Sequence, residues 1–434
     1  MSPGIIAIIG IVLLVFLFLL RMPVAFAMGL LGFLGFAYMK SMGAALSILG
    51  KDFWVMFSNY NLTVVPMFVL MGTFAFYSGI GGRLYQAAHR FLGQLPGGLG
   101  IATCYACAAF GACCGSTTAG AAAMGKVILP EMKKYHYAPS LATACVASAG
   151  SLAILIPPST IFIIYGIMTE QSIGKLFAAG ILPGILLATL FALTVFIMCR
   201  LNPRLGPPGV KASWKERVAS LSGVIEMLVL FALVMGGLFA GLFTPTEAGA
   251  GGAAGALIIA LVRRMITWRG FIDSLVETTR ITTMVFVIVT GATLFGHFMA
   301  VTRVPFELSE WLAGMAVSRY VIMGFIIFGY LIAGCFMDSL AMITLTVPIL
   351  YPVILKLGFD PIWFGVIIVL VGEMGVITPP VGINVYIIKG VALDVPLETI
   401  FRGIFPFLVA LLVCTVLLIA FPQIALFLPS FMTW

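Results

Sequence analysis

Long apolar runs recur from one end of the chain to the other, at 5–20, 22–39, 178–199, 227–243, 279–296, 320–333 continuing to 350, and 403–428. Each approaches the roughly 20 residues that a helix needs to cross about 30 Å of hydrocarbon. Lipid offers the backbone no hydrogen-bond partners, so such runs must close their bonds within helices. Charged residues make up only 9% of the sequence, against about 25% in soluble domains. The expected fold is an all-α polytopic membrane protein.

The first run lacks a basic leader and passes through RMPVAFAMG (21–29) into a second, so it reads as a retained helix and not a cleaved signal. The net charge of +8 sits largely in short connections: five Lys/Arg in CRLNPRLGPPGVKASWKER (199–217) and three in RRMITWRG (263–270). The positive-inside rule puts both on the cytoplasmic side, with FTPTE (243–247) opposite and the N-terminus periplasmic. That distribution argues against a nucleic-acid partner. Cysteines in CYAC (104–107) and CC (113–114) lie among Ala and Gly, where a small thiol packs helix on helix. His89, His136 and His297 are scattered and form no site.

Sliding the chain on itself by 222 positions aligns Pro23 with Pro245, Pro130 with Pro352, Pro139 with Pro361, Pro157 with Pro379 and Pro158 with Pro380. Gly29, Cys113 and Gly150 likewise meet Gly251, Cys335 and Gly372. After a one-residue slip, Gly180 and Pro183 meet Gly403 and Pro406. Such a duplication marks secondary transporters. It gives a first repeat at 1–200, with scaffold helices and arm to 96 and hairpin plus broken helix from 97. A basic linker at 201–221 leads to a second repeat at 222–434, divided in the same way after 318. RRMITWRGFIDSLVE (263–277) is far more basic than its counterpart MKSMGAALSILGKDFW (39–54), so the repeats are expected to be inverted.

Inside LAILIPPSTIFII (152–164) and GVITPPVGINVYII (375–388) the paired prolines remove helical donors. The carbonyls of Ala153 and Ile154, and of Gly375 and Val376, lose their partners. Non-helical backbone survives at membrane depth only where it is buried or lines a cavity. Free carbonyls suit a small hard cation, and half-helix N-termini suit a carboxylate. Hydroxyls at Ser151, Ser159, Thr160 and Thr378 and the amide of Asn384 add ligands. Upstream, FGACCGSTTAGAAAMG (110–125) aligns with IAGCFMDSLAMITLTV (332–347), which sets Ser116 opposite Asp338 and Thr117 opposite Ser339. These Gly- and Ser-bearing stretches read as re-entrant hairpins. Asp338, the one carboxylate within 320–359, is expected to balance a bound Na⁺.

With TPTEAGAGGAAGAL (244–257), GSTTAGAAAMG (115–125), IPPST (156–160) and ITPPVGINVYI (377–387), the chain resembles the large membrane subunit of tripartite ATP-independent periplasmic (TRAP) transporters nearly end to end. The resemblance implies an elevator-type, Na⁺-driven importer in the bacterial inner membrane. It also implies a small membrane subunit as a separate chain and a periplasmic binding protein that delivers an organic acid. The family's Na⁺ sites point to Ser116, Gly150, Ser151, Asp338, Gly372 and Thr378. The full expectation adds Ala153 and Pro157 to the first Na⁺ site, and Gly375 and Pro379 to the second. Thr117, Ser159, Thr160, Arg303, Ser339 and Asn384 are the substrate candidates. Arg303 offers a planar fork for a carboxylate. Glu247 fits a cap or scaffold better than transport chemistry. Lys389 and Glu373 flank the second break as structural partners.

C4-dicarboxylates, sialic or other sugar acids and 2-oxo acids all satisfy this reading. An ion or anion channel, or a Na⁺/carboxylate symporter working without a binding protein, is the competing class. An enzyme is not expected: Ser116 has no activating histidine or lysine nearby in sequence, and Asp338 has no second intramembrane aspartate. Na⁺ is the only expected ionic cofactor, and no organic one is implied.

Overall fold

The computed structural model describes residues 2–209, 211–314 and 317–432, which are helical without a strand. The first half runs α1 (Pro3–Leu19), α2 (Val24–Met39), α3 (Met42–Ser58), α4 (Val64–Tyr77), α5 (Ile80–Leu92), α6 (Gly98–Cys114), α7 (Thr117–Lys134), α8 (Pro139–Ser151), α9 (Thr160–Thr169) and α10 (Ile173–Leu201). After the linker come α11 (Trp214–Ser220) and α12 (Ser222–Phe231), which continues through a π-turn into α13 (Gly237–Phe239). Then follow α14 (Pro245–Val262), α15 (Trp268–Thr302), α16 (Val304–Gly314), α17 (Arg319–Gly334), α18 (Ser339–Lys356), α19 (Pro361–Ile377), α20 (Ile383–Val391), α21 (Leu397–Ala420) and α22 (Gln423–Leu426). Among the described residues, seven helices are long and apolar enough to cross a membrane.

Short polar side chains start these helices. Ser213 with Glu216, and Thr244 with Glu247, form capping boxes, so Glu247 serves its own helix end. Asp360 opens α19 by accepting from the N–H groups of Ile362 and Trp363 at 2.8 and 3.0 Å. Asp360→Ala is expected to cost about 1 kcal/mol, and Asp360→Asn almost nothing. Equal melting temperatures for all three purified proteins would refute this capping role.

The halves interlock. One group joins α1–α4 to α12–α15, and the other joins α6–α10 to α17–α21. In the first group α2 lies on α15 at backbone distance: a Cβ on Gly32 would meet Phe295 N at 2.4 Å, and one on Gly291 would meet Ala25 O at 2.3 Å. In the second, α8 packs on α21, where a Cβ on Gly403 would meet Ser140 O at 2.2 Å. Small residues carry these contacts because lipid is as apolar as the helices and supplies no hydrophobic drive between them.

The apolar run from 320 to 350 resolves into α17 and α18, which turn back at Asp338 as a hairpin. Likewise α6 and α7 turn at Gly115, which adopts φ +59°. The two halves differ in the arm. In the first half it is α3, a 3₁₀ turn at Tyr60–Thr63 and then α4; in the second it is the single 35-residue α15. The Asn59 side chain takes the Asn61 N–H at 2.9 Å and so turns the chain there. At about 52 Å, α15 is longer than the hydrocarbon is thick.

Candidate functional site

Both Pro-Pro segments interrupt their helices. α8 gives way to a 3₁₀ turn (Leu152–Ile154) before α9 begins, and five residues separate the end of α19 from the start of α20 at Ile383. The prolyl bonds Pro157–Pro158 and Pro379–Pro380 are cis. Their settings differ. Pro157 and Pro158 are buried, whereas Pro379 and Pro380 are exposed.

Each break is clasped by the hairpin of its own half. A Cβ on Gly111 would lie 2.8 Å from Ala153 Cα, and one on Gly150 would lie 2.7 Å from Ala121 Cβ. In the second half, a Cβ on Gly375 would lie 2.4 Å from the Gly334 carbonyl carbon, and one on Gly372 would lie 3.0 Å from Ser339 Oγ. Glycine is needed at both places because two backbones nearly touch. The Gly375 carbonyl does not stay free, contrary to the sequence expectation. It accepts the Thr378 N–H at 3.1 Å, and Thr378 Oγ1 donates to Met374 O at 2.5 Å.

Three helices begin at one small cavity of about 80 Å³, lined by Ser116, Thr117, Thr118, Thr160, Asp338 and Ser339 among others. Thr117, Thr160 and Ser339 are the first residues of α7, α9 and α18, so three positive dipole ends converge. Asp338 caps α18 by accepting the Leu340 N–H at 3.0 Å. Ser116 caps α7, and its Oγ lies 3.2 Å from Thr118 Oγ1. Ser339 is buried and its Oγ has no hydrogen-bond partner among the described residues. Ile281, Met284 and Val285 of α15 close the other side. A water needs about 10–15 Å³ of such space, so the cavity has room for several waters. A second cavity of about 210 Å³ shares Ser116, Thr160 and Ile281 and reaches Thr73, Tyr77 and Glu277.

The structure thus brings Ser116, Thr117, Thr160, Asp338 and Ser339 together and leaves other candidates outside. Arg303 sits exposed at the end of α15 with φ +62°, away from the cavity. Asn384 is fully buried, donating to Ala147 O at 3.2 Å, and Ser159 is buried as the cap of α9. Lys389 donates to the carbonyls of Leu393 and Val395. Ser151 is buried and meets the other half of the chain. Its hydroxyl donates to Ser148 O at 2.7 Å and lies 3.4 Å from Glu373 Oε2, and the two residues are 222 apart in sequence. Equivalent positions of the two halves therefore touch. Sequence reasoning missed the α15 wall and Glu277, since nothing in an apolar helix marks which face meets a hairpin tip.

A family profile described as "Tripartite ATP-independent periplasmic transporter, DctM component" matches residues 11–424. The C4-dicarboxylate TRAP transporter large permease protein DctM of Pseudomonas aeruginosa is 34% identical over 86% of this chain and 87% of its own. The sialic acid TRAP transporter large permease protein SiaM of Vibrio cholerae is 34% identical, again over 86% and 87%. In fold the chain is similar to the crystal structure of the YdaH transporter of Alcanivorax borkumensis. That likeness has a TM-score of 0.63 at 15% identity and covers 88% of this chain and 90% of that one.

Proposed function

The chain belongs to the DctM family of tripartite ATP-independent periplasmic transporters, and from that premise we propose that it drives Na⁺-coupled import of a small organic acid by an elevator motion. It is a multi-pass transporter subunit and not an enzyme. The observation that carries the proposal is the meeting of three helix N-termini beside one carboxylate. Dipole ends favour a carboxylate substrate, and Asp338 with nearby hydroxyls and carbonyls favours Na⁺. One cation lowers the cost of bringing the acid to a site that also holds Asp338, which is the physical basis of coupling. The orphaned Ser339 hydroxyl supports a ligand at this place.

In this reading Ser116, Gly150, Ser151, Ala153 and Pro157 frame one Na⁺, and Asp338, Gly372, Gly375, Thr378 and Pro379 frame the other. The acid lies between the hairpin tips and α15. The group built on α6–α10 and α17–α21 slides against the α15 scaffold and exposes the cavity to either side in turn. The contact between Ser151 and Glu373 supports a two-fold relation between the repeats at 1–200 and 222–434, because equivalent residues meet near such an axis, and their inversion rests on the loop charges. A small membrane subunit and a periplasmic binding protein complete the transporter, in the inner membrane with the N-terminus outside. The acids named for the two relatives, C4-dicarboxylate and sialic acid, both carry carboxylates and support a carboxylate as the substrate.

Proteoliposomes supplied with the binding protein and small subunit are expected to take up the acid only under an inward Na⁺ gradient. Uptake that persists after that gradient is collapsed, under a proton gradient alone, would rule out Na⁺ coupling.

A further inference from the structure

At the far end of α7 from Ser116, about 27 Å down the helix, lies a separate cavity of about 500 Å³. Its walls are one face of α5, the last turns of α7 and the linker just before α11. The linker is held there by backbone bonds, Gly209 N–H to Gly93 O at 2.8 Å and Ala138 N–H to Leu205 O at 2.9 Å. Neither the tips nor the breaks of the transport site reach it.

The charges around this cavity are not mutually satisfied. Arg90 is engaged by Glu216 at 3.2 Å. Glu216 in turn caps α11, accepting the Ser213 N–H at 2.8 Å. Lys134 and Lys211 line the cavity and have no ion-pair partner among the described residues. Tyr85 is 1% exposed, and its hydroxyl is buried without a partner. A buried hydroxyl left unpaired costs about 1–3 kcal/mol. Two ammonium groups and one phenol therefore wait for acceptor oxygens. Glu131, the remaining carboxylate, has no ion-pair partner among the described residues and accepts from any hydroxylated ligand.

We infer that this cavity is a binding site for the phosphate of an anionic membrane phospholipid, with a hydroxylated headgroup facing Glu131. A phosphodiester supplies the acceptor oxygens that Lys134, Lys211 and Tyr85 lack. The lipid source follows from position. α5 is an amphipathic helix outside the candidate spans, and Val127 is 37% exposed at the rim, where an acyl chain would leave. This end also carries Arg200, Arg204 and Lys215, which the positive-inside rule turns toward the anionic leaflet. A lipid seated here would tie α5 to the base of the first hairpin.

The test uses the full chain, purified and delipidated in detergent, and follows binding by native mass spectrometry and by thermal melting. Phosphatidylglycerol is expected to bind and raise the melting temperature, and phosphatidylcholine to do neither. Lys134→Gln and Lys211→Gln should each weaken phosphatidylglycerol binding about fivefold, and Tyr85→Phe by a similar factor. Both lysines are exposed, so the glutamine variants should fold normally. Equal binding by wild type and the double glutamine variant would overturn the site. Saturation by inorganic phosphate, with no added effect of the lipid, would overturn the lipid assignment in favour of a soluble phosphate.

Discussion

Asp338→Asn is expected to abolish Na⁺-driven uptake while leaving the fold in place. Asparagine caps a helix about as well as aspartate, so the bond to the Leu340 N–H survives. What disappears is the negative charge in a cavity that otherwise presents three positive helix ends. An interaction with a charged group contributes about 1.5–3 kcal/mol, which corresponds to a loss of about ten- to a hundredfold in cation affinity. Asp338→Ala should lose the cap as well, and with it about 1 kcal/mol of stability. Comparing the two variants separates charge from capping. Measured in proteoliposomes at matched protein yield, wild-type uptake by the asparagine variant would refute the assigned role.

A second large effect is expected at Gly32, where no chemistry is involved. Gly32→Leu would push a side chain into the backbone of α15, whose Phe295 N already stands 2.4 Å from an ideal Cβ. Phe295 N and the Leu294 carbonyl are backbone and cannot rotate aside, so α2 must move as a whole. Overpacking commonly costs about 1–3 kcal/mol, and here the contact runs the length of the most closely paired helices in the scaffold. Little monodisperse protein should be recovered. Gly324→Leu is the matched control, because a Cβ there meets nothing within 4 Å. Comparable size-exclusion peaks for the two variants would show that α2 and α15 are not locked as described.

Several features were legible in the sequence because their causes are local. A proline pair removes two donors wherever it stands, so both breaks could be located to the residue. Glycine and serine within an apolar stretch allow a turn at membrane depth, which marked the stretches around Ser116 and Asp338 as re-entrant hairpins. The 222-residue offset linked those turns to each other before any contact was known.

Other features depended on which face of each helix turns inward. In a soluble protein the polar face answers that question, but lipid and protein interior are equally apolar, so the pattern of these helices carries no such label. Hence nothing marked Ile281, Met284 and Val285 as the wall opposite the hairpin tips. Arg303 looked like a carboxylate fork by chemistry alone, and α15 carries it beyond the site to the exposed end of its helix. The offset predicted two like breaks, yet packing buried Pro157 and exposed Pro379.

The amino-acid order alone thus determined a membrane-spanning helical chain and its two breaks, set by bonds within a few residues or by composition over one span. Only the tertiary structure decided that α7, α9 and α18 start at one point and that Ser151 meets Glu373. Those meetings join residues far apart in the chain, held by backbone-close contacts between small residues whose partners no local pattern names.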